Sequence, residues 1–141
     1  MEKSGSGDEK VTNLEYLLKL SKGNNQFVAD MIRIFLEENP AEIGTLEKAI
    51  QNRDYVLINA AAHKLRSTVP FVGIDKIISE EISEIESLAK EKAGDPMSPH
   101  QKPLESGLST EKELIGRIEI LFSHVKQVCF TACEELRSYR Q

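Results

Sequence analysis

Apolar residues recur along this chain at intervals of three and four, and period-two alternation is nowhere sustained, so the pattern predicts helices and no sheet. In "TNLEYLLKLSKG", Leu14, Leu17 and Leu18 share a helical face and Gly23 offers a stop, which predicts a short first helix. The stretch "NNQFVADMIRIFLEENPAEIGTLEKAIQNRD" then sets Val28, Met31, Ile32, Phe35, Ile43, Leu46 and Ile50 along one stripe, interrupted by Pro40. A proline inside a helix costs ~3 kcal/mol or more and bends it. Because the stripe resumes in phase beyond Pro40, one kinked helix is expected rather than two stacked pieces.

Asp54 is placed to cap a third helix running to about Val72, where Gly73 breaks it. Asp75 can cap a fourth, with Ile78, Ile82, Ile85 and Leu88 inward and the acidic run "SEEISEIESLAKEK" read as a solvated outer face. "KAGDPMSPHQKPLESG" is rich in Pro, Gly and Ser without periodicity, which predicts a long surface loop over 93–109. Thr110 and Glu113 fit a capping box, and Leu114, Ile118, Leu121, Val125, Val128, Ala132 and Leu136 follow a heptad-like repeat. The expected fold is all-α, an antiparallel four-helix bundle with a short additional N-terminal helix. It occupies 12–139, after a flexible segment over 1–11, and no internal repeat is visible.

Composition narrows the functional classes. A chain of 141 residues forms one ordinary domain with a sizeable core. The formal charge of -5 disfavours nucleic acid as the main ligand, since phosphate backbones select basic faces. Cys129 and Cys133 lie four apart in a helical pattern, which suggests a reduced intracellular protein rather than a disulfide framework. No stretch approaches the ~18 to 20 apolar residues of a membrane span, and the polar start carries no leader pattern. A cytoplasmic location is expected, with no membrane contact by this segment, and a protein partner or a small site as target.

One histidine stands out in the third helix, within "NAAAHKLRSTVPFVGID". Ile58, Ala61, Ala62, Leu65, Val69 and Val72 share the face that packs inward, while Asn59, Ala60, His63, Arg66, Ser67 and Pro70 fall opposite. His63 therefore points outward, with small residues one turn to either side and Arg66 within reach of whatever the ring carries. General acid-base work would want a carboxylate to orient the ring, and the nearest acids along the chain, Asp54 and Asp75, are more than two turns away. A metal would want further ligands, and Lys64 and Arg66 would repel it. A phosphoryl group fits both facts: an imidazole nitrogen can act as the nucleophile, and a guanidinium can stabilise the resulting dianion.

These residues resemble the signature of histidine phosphotransfer (Hpt) domains, in which a histidine, any residue, Leu, Lys and Gly are followed by a second glycine ten residues after the histidine. His63, Leu65 and Gly73 match, Arg66 replaces the lysine, and Ser67 replaces the first glycine. The approach to the histidine and the proline in the long helix are also similar, over about Asn13 to Ile85. The resemblance implies that His63 exchanges a phosphoryl group with the aspartate of a response-regulator receiver domain. It implies Arg66 and Lys64 as phosphate-stabilising, Asn59, Ala60, Ser67 and Pro70 as receiver-docking, and Leu65 and Gly73 as structural. It further implies a sensor histidine kinase as second partner, a monomer, and no cofactor of its own, with Mg2+ expected on the receiver. Such a carrier lacks independent catalytic machinery, and the segment is compatible with a domain of a hybrid sensor kinase.

Two rival readings stand beside this one. An Hpt-like docking or adaptor module would bind receivers or another protein without carrying phosphate, a reading motivated by Ser67 and Pro70. A metal-binding bundle would use His124, Cys129 and Cys133, although free cysteines commonly pack as small hydrophobes. His100 reads as a solvated loop residue and His124 as a structural residue beside the core stripe. Tyr16 and Met31 read either as core or as part of a docking patch.

Overall fold

The structure, a computed structural model, describes residues 10–93 and 110–139. Its long helices begin where a side chain can accept an otherwise unpaired backbone amide. Asn24 Oδ1 accepts from Phe27 N at 3.0 Å, Asp54 Oδ1 from Leu57 N at 3.2 Å, and Thr110 Oγ1 from Glu113 N at 3.0 Å. These caps open α2 (Asn25–Gln51), α3 (Tyr55–Thr68) and α5 (Glu111–Arg137), which with α1 (Glu15–Ser21) and α4 (Asp75–Ala93) make up the α-helices of the described residues. Helix α1 closes through Lys22 and Gly23, both at positive φ. Helix α2 runs unbroken through Pro40.

The stripes read from the sequence supply most of the core, although of the first-helix positions only Leu17 is buried and Leu18 is exposed, and Met31 is partly buried. Val28, Ile32, Phe35, Ile43, Leu46 and Ile50 of α2 are buried, as are Ile78, Ile82, Ile85 and Leu88 of α4 and all seven heptad-like positions of α5. Helices α2 to α5 pack in a closed ring, each on the next and α5 back on α2. The pairing of Glu47 with Lys126 and of Asn39 with Cys129 and Cys133 shows α2 and α5 to be antiparallel, and Glu84 with Arg117 and Glu81 with His124 show the same for α4 and α5. The fold is all-α, an antiparallel four-helix bundle, with α1 laid against α2 and the end of α3. No helix among the described residues is long and apolar enough to cross a membrane.

Four boundaries differ from expectation. The α-helix containing His63 ends at Thr68 and tightens into a 3-10 turn, Val69–Val72, because Pro70 has no amide to give to Arg66 O and its ring would crowd that carbonyl. Asp75 is the first residue of α4 rather than its cap; Ile74 O takes the amides of Ile77 and Ile78, and the Asp75 carboxylate lies in the first turn, where the helix dipole favours it. Ala93, expected in the loop, is the last residue of α4, and the remainder of that loop, with His100, lies outside the described residues. Val11, expected in the flexible start, gives its amide to Glu135 Oε2 at 2.9 Å; residues 1–9 lie outside the described residues.

Gly73 explains itself here. It has a φ of 79°, and a Cβ on it would lie 2.3 Å from Asn13 O, where the incoming chain crosses the end of α3 and Asn13 N donates to Val72 O at 2.8 Å. Any side chain would have to displace that crossing.

Candidate functional site

The face that α3 turns outward follows from the face it buries. Ile58, Ala61, Ala62 and Leu65 are buried, so His63 emerges between neighbouring helices with its side chain 66% exposed. Ala60 and Ser67, one turn before and after, are also exposed, and Asn59 and Pro70 are half-buried. The Ser67 hydroxyl donates to Lys64 O at 2.6 Å and so folds back onto its own helix.

The structure supplies the carboxylate that was missing along the chain. Glu86, on α4, brings Oε2 to 2.9 Å from His63 Nδ1, and its side chain is only 19% exposed. A carboxylate only accepts, so Nδ1 is the donor in this pair, and in the neutral ring the lone pair is the one on Nε2. Arg66 Nη2 also lies 3.3 Å from His63 Nδ1, but two donors cannot bond each other; the shorter contact to Glu86 sets the tautomer. The acidic run was therefore only partly a solvated face: Glu86, Glu84 and Glu81 all reach across to neighbouring helices.

The two cations divide. Arg66 Nε donates to Glu86 Oε1 at 2.9 Å and Nη2 to Oε2 at 3.4 Å, so the fork expected on phosphoryl oxygens is occupied by Glu86. Asn59 Nδ2 donates to Glu86 O at 2.8 Å and anchors the same stretch of α4 from the main-chain side. Lys64 leans the other way, its Nζ 3.9 Å from Glu42 Oε2 on α2. Burial pushes the Glu42 carboxyl above its ordinary pKa, while Lys64 and the hydrogen bond from Thr68 oppose that shift. His63, Arg66, Glu86 and Asn59 thus form one connected cluster, and Lys64 stands beside it without joining it.

Other candidates separate from this cluster. Cys129 and Cys133 are buried against Asn39, and desolvation raises both thiols, Cys129 to about 12. His124 sits at the surface with Nδ1 against Glu81 Oε2. Among the described residues no group of three His, Cys, Asp or Glu could hold a metal, so the bundle built on His124, Cys129 and Cys133 is set aside. Tyr16 is half exposed and tilts against Phe71, with ring centroids 6.0 Å apart, and Met31 is partly buried at the core edge. Two shallow hollows, one along Ser79, Ser83 and Ser87 and one along Ala41, Gly44 and Thr45, include no residue of the cluster. The imidazole stands on an open surface, which suits a macromolecular donor better than an enclosed small substrate.

Sequence reasoning missed Glu86 and Glu42. The available signal was positional: Glu86 is one residue from buried Ile85 and four from buried Ile82, at the flank of the α4 stripe, where a side chain can reach the next helix.

The family model of the Hpt domain matches residues 30–128 of the chain. No curated protein and no solved structure matches it.

Proposed function

The chain belongs to the Hpt domain family, whose role is phosphotransfer in two-component signalling, and from that premise we propose that His63 is its phosphoacceptor, exchanging a phosphoryl group with the aspartate of a receiver domain. The observation that carries this reading is the 2.9 Å contact between Glu86 and Nδ1 of an otherwise exposed ring. With the proton held at Nδ1, the Nε2 lone pair attacks the phosphorus of an aspartyl phosphate. The N–P bond forms as the bond to the carboxylate oxygen breaks, and that electron pair leaves with the aspartate. Positive charge gathers on the ring at Nδ1–H, where Glu86 faces it. Arg66 holds Glu86 in that pose and adds positive charge beside the incoming dianion. Return of the phosphoryl group is the same path reversed.

On this proposal the receiver brings the acceptor carboxylate and Mg2+, a sensor histidine kinase stands upstream, and the exposed surface around Ala60 and Ser67 meets the receiver. The phosphate-free docking reading rested on Ser67 and Pro70. The Ser67 hydroxyl is taken up by Lys64 O and Pro70 shapes the end of α3, so that reading has lost its motive. Incubation with a phosphorylated receiver and Mg2+ tests the proposal. The chain should take up label in an acid-labile, alkali-stable form, as a phosphoramidate is; the absence of label, or the opposite stability, overturns it.

A further inference from the structure

We infer that Glu42 is a positioning residue for this same site: its buried carboxylate draws the Lys64 ammonium across the α2–α3 seam in the unphosphorylated protein, and a phosphoryl dianion on His63 competes it away. The inference rests on His63 as the phosphoacceptor.

Three observations lead to it. Glu42 Oε2 is buried without a hydrogen-bond partner, although Oε1 accepts from Thr68 Oγ1 at 3.3 Å, and the side chain is only 7% exposed. A carboxylate oxygen removed from water and left unpaired is costly, so a cation within reach is strongly drawn to it. The cation there is Lys64, whose Nζ lies 3.9 Å from that oxygen. Lys64 in turn directly follows His63 in the chain, and its side chain is 66% exposed, so its flexible stem can swing between two anions without disturbing the core.

The exchange has a sign with pH. The groups facing Glu42 are Lys64 and Thr68 on α3, Glu38 on its own helix and Cys129 on α5. Of these, Lys64 and Thr68 favour its ionised form, and Glu38 opposes it. When Lys64 departs, Glu42 loses its main electrostatic compensation and binds a proton from water more readily, so release of Lys64 becomes easier as pH falls. Half-exposed ion pairs alter equilibria by a factor of a few, so the expected effect on phosphohistidine lifetime is about threefold.

A double-mutant cycle on the full chain, phosphorylated by a phosphorylated receiver, reads this directly. Glu42→Gln should free Lys64 and lengthen the phosphohistidine half-life about threefold. The same substitution should have no effect in a Lys64→Ala background. An unchanged half-life in Glu42→Gln, or an equal lengthening without Lys64, overturns the inference. A second measurement needs no phosphate: in the unphosphorylated protein, Glu42→Gln should shift the side-chain NMR resonance of Lys64, and an unmoved resonance overturns the tether. A wild-type chain that takes no label defeats the phosphoacceptor reading instead, and the Lys64 resonance then decides the tether alone.

Discussion

His63 and His124 stand on different helices, and each sets its Nδ1 against a glutamate of α4, Glu86 for the first and Glu81 for the second. Both rings are more than half exposed, at 66% and 51%. Beyond that the two places part. Glu86 is gripped by the Arg66 guanidinium, and the residues one turn to either side of His63 include Ala60 and Ser67. At His124 the nearer guanidinium along the same helix, Arg117, is engaged by Glu84 at 2.9 and 3.2 Å, and one turn before the ring stands Ile120, 66% exposed. A carboxylate that fixes the tautomer is therefore shared by both histidines. What distinguishes His63 is the cation behind that carboxylate and the clearance in front of the ring.

The bluntest way to break the comparison is to delete each ring. His63→Gln should abolish label uptake from a phosphorylated receiver, and His124→Gln should leave it at the wild-type level; label retained by the first variant would place the phosphoryl group elsewhere. Removing the carboxylates comes next. Glu86→Ala forfeits a charge-assisted hydrogen bond worth ~1.5 to 3 kcal/mol, so transfer measured by rapid quench should slow by roughly ten- to a hundredfold, and Glu81→Ala should not slow it. Equal losses in the two variants would mean that α4 acts through its overall charge rather than through one contact.

Arg66→Ala sharpens the picture further. A guanidinium that binds phosphoryl oxygens directly would cost roughly ten- to a hundredfold when removed. One that acts through Glu86 should cost about three- to tenfold in transfer rate, since its ion pair is partly solvated and the carboxylate remains. The smallest effect is expected at Ser67. Because its hydroxyl is already folded onto Lys64 O, Ser67→Gly should change transfer less than about threefold while lowering thermal stability by ~0.5 kcal/mol through helix propensity. A large gain in rate would show that the serine obstructs the receiver.

The helical stripes, the caps at Asp54 and Thr110 and the outward aspect of His63 were legible in the sequence because each depends on residues within two turns of one another. Glu86 was not, because it lies 23 residues from His63 and its approach depends on how α4 is rotated against α3. Arg66 shows the same limit in another form. Its place on the site face followed from periodicity, but its partner did not, so a side chain expected on phosphate was found on a carboxylate. The 3-10 turn after α3 has a local signal in Pro70, whose missing amide ends the α-helix although the apolar face continues through Val69 and Val72.

Glu86 is proposed to hold the proton at Nδ1 and leave Nε2 to carry the phosphoryl group. Nitrogen-resolved NMR of the 15N-labelled, phosphorylated chain tests it most directly. Phosphorus should couple to Nε2 of His63, with a proton on Nδ1 that becomes exchange-labile in Glu86→Ala. Phosphorus on Nδ1, or on any residue other than His63, would contradict it.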